Sequence, residues 1–119
     1  MIAEYENESL QSRNTFGIDV KCRHLVEYES DKDLSELLRE KSLRDARWAV
    51  LSGGSNIFFA GDFDGTILHP VSKGISLVSE SESNVKVHVM AGVEWDDFVE
   101  WCVANGYWGA ENLSYIPGY

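Results

Sequence analysis

At 119 residues with 44% apolar and 12% aromatic content, the chain fits one domain that buries roughly two-thirds of its unfolded surface and shows none of the depletion that marks disorder. Twenty acidic against ten basic residues leave a formal charge of −10, which excludes a sequence-independent nucleic-acid surface, because that needs clustered Lys and Arg against phosphates. No apolar run approaches the ~20 residues that span a bilayer.

In chain order, Met1 to Thr15 is a polar, acidic leader with Glu4, Glu6 and Glu8. It lacks the basic-then-apolar order of a secretory signal, so a cytoplasmic location is expected. Asn14-Thr15-Phe16-Gly17-Ile18 is an irregular entry into the fold, and His24 to Glu29, with Leu25, Val26 and Tyr28, reads as a strand. Ser30 stands three residues before Asp33, a variant of the capping box, and Leu34, Leu37 and Leu38 share one helical face. A helix from Asp31 to near Leu43 is predicted.

Trp48-Ala-Val-Leu51 is an apolar run followed at once by Ser52-Gly53-Gly54-Ser55-Asn56 and then by a second run, Ile57 to Phe59. The pattern predicts a strand, a tight turn, and a strand or short helix. Adjacent glycines permit positive φ and close approach of a bulky group, so the loop could turn a row of N–H groups toward an anion. Gly, Ser and Asn also dominate ordinary turns, and both readings stand at this point.

Further on, Gly61 to Gly65 is a turn-rich loop, Thr66 to His69 a strand closed by Pro70, and Ile75 to Val78 another strand after a turn at Gly74. Ser79 to Asn84 reads as a hairpin loop. Val85, Val87, Val89 and Ala91 alternate with Lys86, His88 and Met90, which predicts a half-buried strand in an antiparallel or mixed sheet. Gly92 ends it. From Glu94 to Asn105 the period changes: Trp95, Phe98, Val99, Cys102 and Val103 mark an amphipathic helix that Gly106 stops. Trp95 and Trp101 read as core or interface aromatics, and Glu94, Asp96 and Asp97 as the solvated first turn of that helix rather than an acid/base set. Cys22, Cys102, His24, His69 and His88 are too scattered for a disulfide framework or a metal site. The element order fits an α+β or mixed α/β unit. The final stretch, Gly109 to Tyr119, has no periodicity and ends on a Pro-Gly turn signal, as a chain that has been cut short would.

Four segments now stand in one order: Asn14-Thr15-Phe16-Gly17, Leu51-Ser52-Gly53-Gly54-Ser55-Asn56, Ala91 to Val99, and Gly109-Ala-Glu-Asn-Leu-Ser-Tyr-Ile-Pro-Gly118. Together they resemble the beginning of the UDP-N-acetylenolpyruvoylglucosamine reductase family of peptidoglycan precursor synthesis, from about Asn14 to the end. The Gly-Gly-Ser-Asn loop is shared with oxidases of the p-cresol methylhydroxylase type, whereas the ending is more specific. The sequence departs from the family where Ser52 replaces a frequent third glycine, and where Tyr119 stands at the start of a small-residue stretch.

The resemblance implies the FAD-binding fold of the p-cresol methylhydroxylase type, with residues 1–70 as a small α/β subdomain and 71–119 as the beginning of a larger α+β one. It implies FAD between the two. Ser52, Gly53, Gly54, Ser55 and Asn56 would hold the flavin pyrophosphate, with Ala91, Gly92, Ile116, Pro117 and Gly118 lining the adenine-ribose and pyrophosphate region from the second subdomain. Asn14 and Thr15 would pack beside the loop. The family's catalytic acid and its Arg and Glu partners lie downstream of Ile-Pro-Gly, so no catalytic residue and no metal ligand is carried over. The reductase takes hydride from NADPH and reduces a UDP-sugar enolpyruvyl ether; this chain alone is expected to be inactive. Unpaired strands in such a fragment would favour self-association or domain swapping. A stand-alone binding domain and a fragment of a related FAD oxidase are the alternatives.

Overall fold

The computed structural model describes residues 1–113. Strands β1 (Ile2–Ser9), β2 (Lys21–Tyr28), β3 (Trp48–Val50) and β4 (Phe63–Pro70) form one sheet in the order β1-β2-β4-β3. β1 is antiparallel to β2, while β2, β4 and β3 run parallel. β5 (Ile75–Glu80) and β6 (Val85–Val89) form a separate antiparallel hairpin. The helices are α1 (Asp31–Arg39), α2 (Lys41–Arg44) and α3 (Trp95–Ala104), with 3-10 turns at Gln11–Arg13 and Glu111–Leu113. The α+β expectation therefore holds.

The parallel strands need crossovers, and these build the two faces of the sheet. On one face α1 and α2 bring Leu37 and Leu43 against Val26, Tyr28 and Leu68, with Ile2, Leu34 and Leu38 at the margin. On the other face no α-helix packs among the described residues. The segments 10–20 and 51–62 cover it instead, burying Leu10, Val20, Leu51 and Phe59 on Cys22, Leu25 and Ile67. Leu10 and Leu25 have no exposed surface, and burying such a side chain contributes roughly 1.5–3 kcal/mol.

Four local expectations change. The acidic leader is a strand: β1 pairs with β2 from Ile2 against Tyr28 to Ser9 against Lys21. Its stability comes from main-chain ladder bonds rather than from an apolar face, and its charges guard the open edge of the sheet. The helix expected to reach Leu43 breaks at Glu40, which is extended (φ −68°, ψ 116°). Continuing α1 would have carried Lys41 along the apolar stripe; the break re-phases the chain so that Leu43 is buried beside Leu37. Ile57 to Phe59 forms neither strand nor helix. Ile57 and Phe59 reach the core face away from α1 and α2, while Phe58 is exposed and meets Phe16 edge-on at 5.6 Å between ring centres. β4 begins at Phe63, inside the expected loop, and passes through Gly65, where a Cβ would lie 2.4 Å from the Arg47 carbonyl oxygen.

The capping box forms as the spacing suggests. The Asp33 amide donates to Ser30 Oγ at 3.1 Å and the Ser30 amide to Asp33 Oδ2 at 3.2 Å. In α3, Val99 and Cys102 are buried as expected, but Val103 is 42% exposed. Trp95, Phe98, Trp101 and Tyr107 form a row of contacting rings along it. Gly106, at φ +75°, ends the helix.

Candidate functional site

The carboxyl ends of β2, β4 and β3 lie side by side because these strands are parallel. At that edge the chain leaves β3 through Leu51 to Asn56 and leaves β4 through Val71 to Gly74. Loops from neighbouring parallel strands part there, and open sheets bind ligands in the resulting crevice. A cleft of about 250 Å³ occupies this position. One wall is Ser52 and Gly53, another is Pro70, Val71, Lys73 and Gly92, and Ser12, Arg13 and His69 complete it.

Several contacts fix these walls. His69 Nδ1 lies 2.7 Å from the Leu51 carbonyl oxygen. A carbonyl only accepts, so Nδ1 carries the proton of the neutral ring and Nε2 is left as an acceptor. Ser52 Oγ donates to the Ala91 carbonyl at 3.1 Å, which ties the loop after β3 to the turn after β6. The Gly92 amide donates to the Ser72 carbonyl at 3.0 Å, and the Lys73 ammonium donates to the Gly92 carbonyl.

The loop is also packed from below. The Thr15 amide donates to the Gly54 carbonyl at 3.1 Å, so Thr15 sits against the loop. Asn14, only 7% exposed, donates its carboxamide to the Leu10 and Ile18 carbonyls and accepts from the Ile18 amide. Gly54 adopts φ +70°, and a Cβ there would lie 2.0 Å from the Arg13 carbonyl oxygen. Gly92 is similarly confined: its Cβ would lie 2.5 Å from the Ser72 carbonyl oxygen. At both positions the glycine admits a neighbouring backbone, which brings the walls of the cleft together.

The electrostatics of the cleft oppose those of the chain. Within a molecule of net charge −10, its described lining carries Arg13 and Lys73 and no carboxylate. Local hydroxyl and cationic donors of this kind suit a phosphate-bearing group. The Nε of Arg13 is buried with no hydrogen-bond partner among the described residues. The residues present therefore fit a diphosphate. A larger open groove of about 570 Å³ between the β5–β6 turn and the end of α3 does not, because Glu80 and Glu82 line it.

Of the residues expected at the site, Ser52, Gly53 and Gly92 line this cleft. Ala91 is joined to it through Ser52, and Gly54 supports it from beneath. Ser55 and Asn56 form the turn that follows. Ile116, Pro117 and Gly118 lie outside the described residues. Arg13, His69 and Lys73 were not expected; no spacing marks them, although Arg13 adjoins the Asn14-Thr15 segment and Lys73 precedes the Gly74 turn. Among the described residues no set of three His, Cys, Asp or Glu is arranged to hold a metal ion, and no helix is long and apolar enough to cross a membrane.

A mixed sheet with a phosphate-compatible cleft at the carboxyl ends of its parallel strands defines a nucleotide-cofactor domain, and residues 22–119 match the FAD binding domain family, to which the chain belongs. More particularly, it is similar to UDP-N-acetylenolpyruvoylglucosamine reductases. It is 44% identical over 110 residues to that of Bacteroides fragilis, covering 92% of this chain and 33% of that protein. It is 44% identical over 113 residues to that of Amoebophilus asiaticus, covering 95% and 33%. The crystal structure of the Thermus caldophilus reductase superposes with a TM-score of 0.66 over 99% of this chain and 39% of that one, at 20% identity, and so shares the fold. The chain spans about a third of the length of the curated relatives.

Proposed function

We propose that this chain holds the diphosphate of FAD in the cleft between Ser52-Gly53 and Gly92, as the FAD-binding portion of a UDP-N-acetylenolpyruvoylglucosamine reductase. The observation that carries the reading is the cleft itself, cationic and hydroxyl-lined in an acidic chain, at the strand ends of a domain in the FAD-binding family. In this reading NADPH is the hydride donor of the whole enzyme and a UDP-sugar enolpyruvyl ether its acceptor, in the cytoplasm.

When bound, the flavin supplies the hydride relay, and the protein supplies placement and charge. Ser52 to Asn56 offer hydroxyl and amide donors from the loop after β3. Ala91 and Gly92 form the opposing wall, held at a fixed distance by the Ser52 hydroxyl. Residues 1–70 then constitute one subdomain and 71–119 the start of the second, with the diphosphate at their junction. Glu94, Asp96 and Asp97, at the start of α3, take no part in proton transfer. Identities of 38–44% to the reductases weigh against a related oxidase.

The test is a visible absorption spectrum after incubation with FAD and removal of the excess. A retained flavin band with a displaced maximum is the expected result. Loss of all flavin on desalting at micromolar protein would overturn the reading for this chain.

A further inference from the structure

Arg13 stands one residue before the buried Asn14, and its carbonyl oxygen fills the space above Gly54. Its backbone therefore packs against the loop that follows β3, although it is distant in sequence. The Nη1 group contacts Glu27 Oε1 at 3.0 Å, and both side chains are about four-fifths buried. Glu27 is itself the register partner of His69 at the carboxyl ends of β2 and β4. Arg13 thus lines the cleft, with Nη1 held by a carboxylate and the buried Nε unpaired among the described residues.

A buried donor without a partner is rare, and a guanidinium presents its donors as a planar fork that matches phosphate oxygens in pairs. We propose that Arg13 is the cationic anchor of the bound diphosphate, and that Glu27 orients its guanidinium while competing with the ligand for it. Lys73 adds charge from the opposite wall, where its ammonium is placed by the Gly92 carbonyl. In a chain of net charge −10 the general field repels an anionic ligand, so affinity depends on this local pair of cations. The identity of the ligand as FAD rests on the function proposed above; the diphosphate chemistry does not.

The experiment titrates the full chain with FAD, riboflavin and inorganic pyrophosphate by calorimetry, at low and moderate salt, for wild type, R13Q, R13K and E27Q. R13Q is expected to weaken FAD roughly 10- to 100-fold, as the loss of a charge-assisted hydrogen bond implies, and to flatten the salt dependence. R13K should recover part of the affinity, and riboflavin, which has no diphosphate, should be indifferent. E27Q is expected to tighten FAD by roughly two- to tenfold, since it removes the competing carboxylate without touching Arg13. That sign keeps the proposal falsifiable if circular dichroism shows R13Q unfolded. FAD binding that R13Q and E27Q leave unchanged would overturn the anchor while leaving the FAD reading intact. Arg13-dependent binding of pyrophosphate without binding of FAD would uphold the anchor and refute the FAD reading. Binding of neither ligand would overturn both.

Discussion

Gly54→Ala tests whether the loop after β3 is held by backbone packing. Gly54 adopts φ +70°, and an added Cβ would lie 2.0 Å from the Arg13 carbonyl oxygen and 2.8 Å from Asn14 Cα. The left-handed backbone costs a non-glycine residue about 1–2 kcal/mol. Relieving the contact requires the two segments to part by over ~1 Å, which breaks the Thr15 amide bond to the Gly54 carbonyl and disturbs the buried Asn14 carboxamide, at about 1 kcal/mol for each hydrogen bond. The total is about 3–4 kcal/mol, against the ~5–15 kcal/mol that holds a domain folded. Gly17→Ala is the control: φ is +65° but nothing lies within 4 Å of its Cβ, so only the conformational cost of about 1–2 kcal/mol remains. Urea unfolding followed by tryptophan fluorescence, without FAD, measures both variants. If Gly54→Ala lay within about 1 kcal/mol of Gly17→Ala, the close approach of Arg13 to the loop would be refuted.

Asn14→Ala removes the side chain that bridges the Leu10 and Ile18 carbonyls and the Ile18 amide. It should cost about 2–4 kcal/mol, because buried backbone groups are left unsatisfied, and Asn14→Asp, which cannot donate to the carbonyls, should recover little of it in thermal melts. The Asp33 carboxyl is held below the ordinary Asp range, first by a hydrogen bond from the Met1 ammonium and also by Ser30. A depressed carboxyl contributes stability that is present above its unfolded pKa, near 3.8, and is lost as pH falls through the folded value. Urea midpoints of the wild type should therefore fall more steeply than those of Asp33→Asn between pH 5 and the acid limb; parallel slopes would count against the contact.

Short-range regularities were legible in the chain itself. The capping box at Ser30 and Asp33, the alternation of β6 and the stripe of Trp95, Phe98, Val99 and Cys102 all follow from the periods of a helix and a strand, which depend on near neighbours. The Ser52 to Asn56 loop was recognisable for the same reason, as was the FAD-binding family, whose motifs are contiguous.

What required tertiary structure was everything decided by a distant partner. The acidic stretch Ile2–Ser9 carries no apolar face to announce a strand; the open edge of β2 makes it one. The break at Glu40 follows from the need to turn Leu43 into the core beside Leu37. Ile57 to Phe59 resembles a strand but finds no ladder partner while covering the sheet. Arg13 and Lys73 meet at the cleft because the parallel order β2-β4-β3 gathers three strand ends at one edge, and no local spacing encodes that order. The sequence by itself thus determined the local elements, the glycine loop and the family, since these rest on neighbouring residues. Tertiary structure alone decided the charge of the cleft and the backbone contacts that set its walls, since both arise from segments brought together across the sheet.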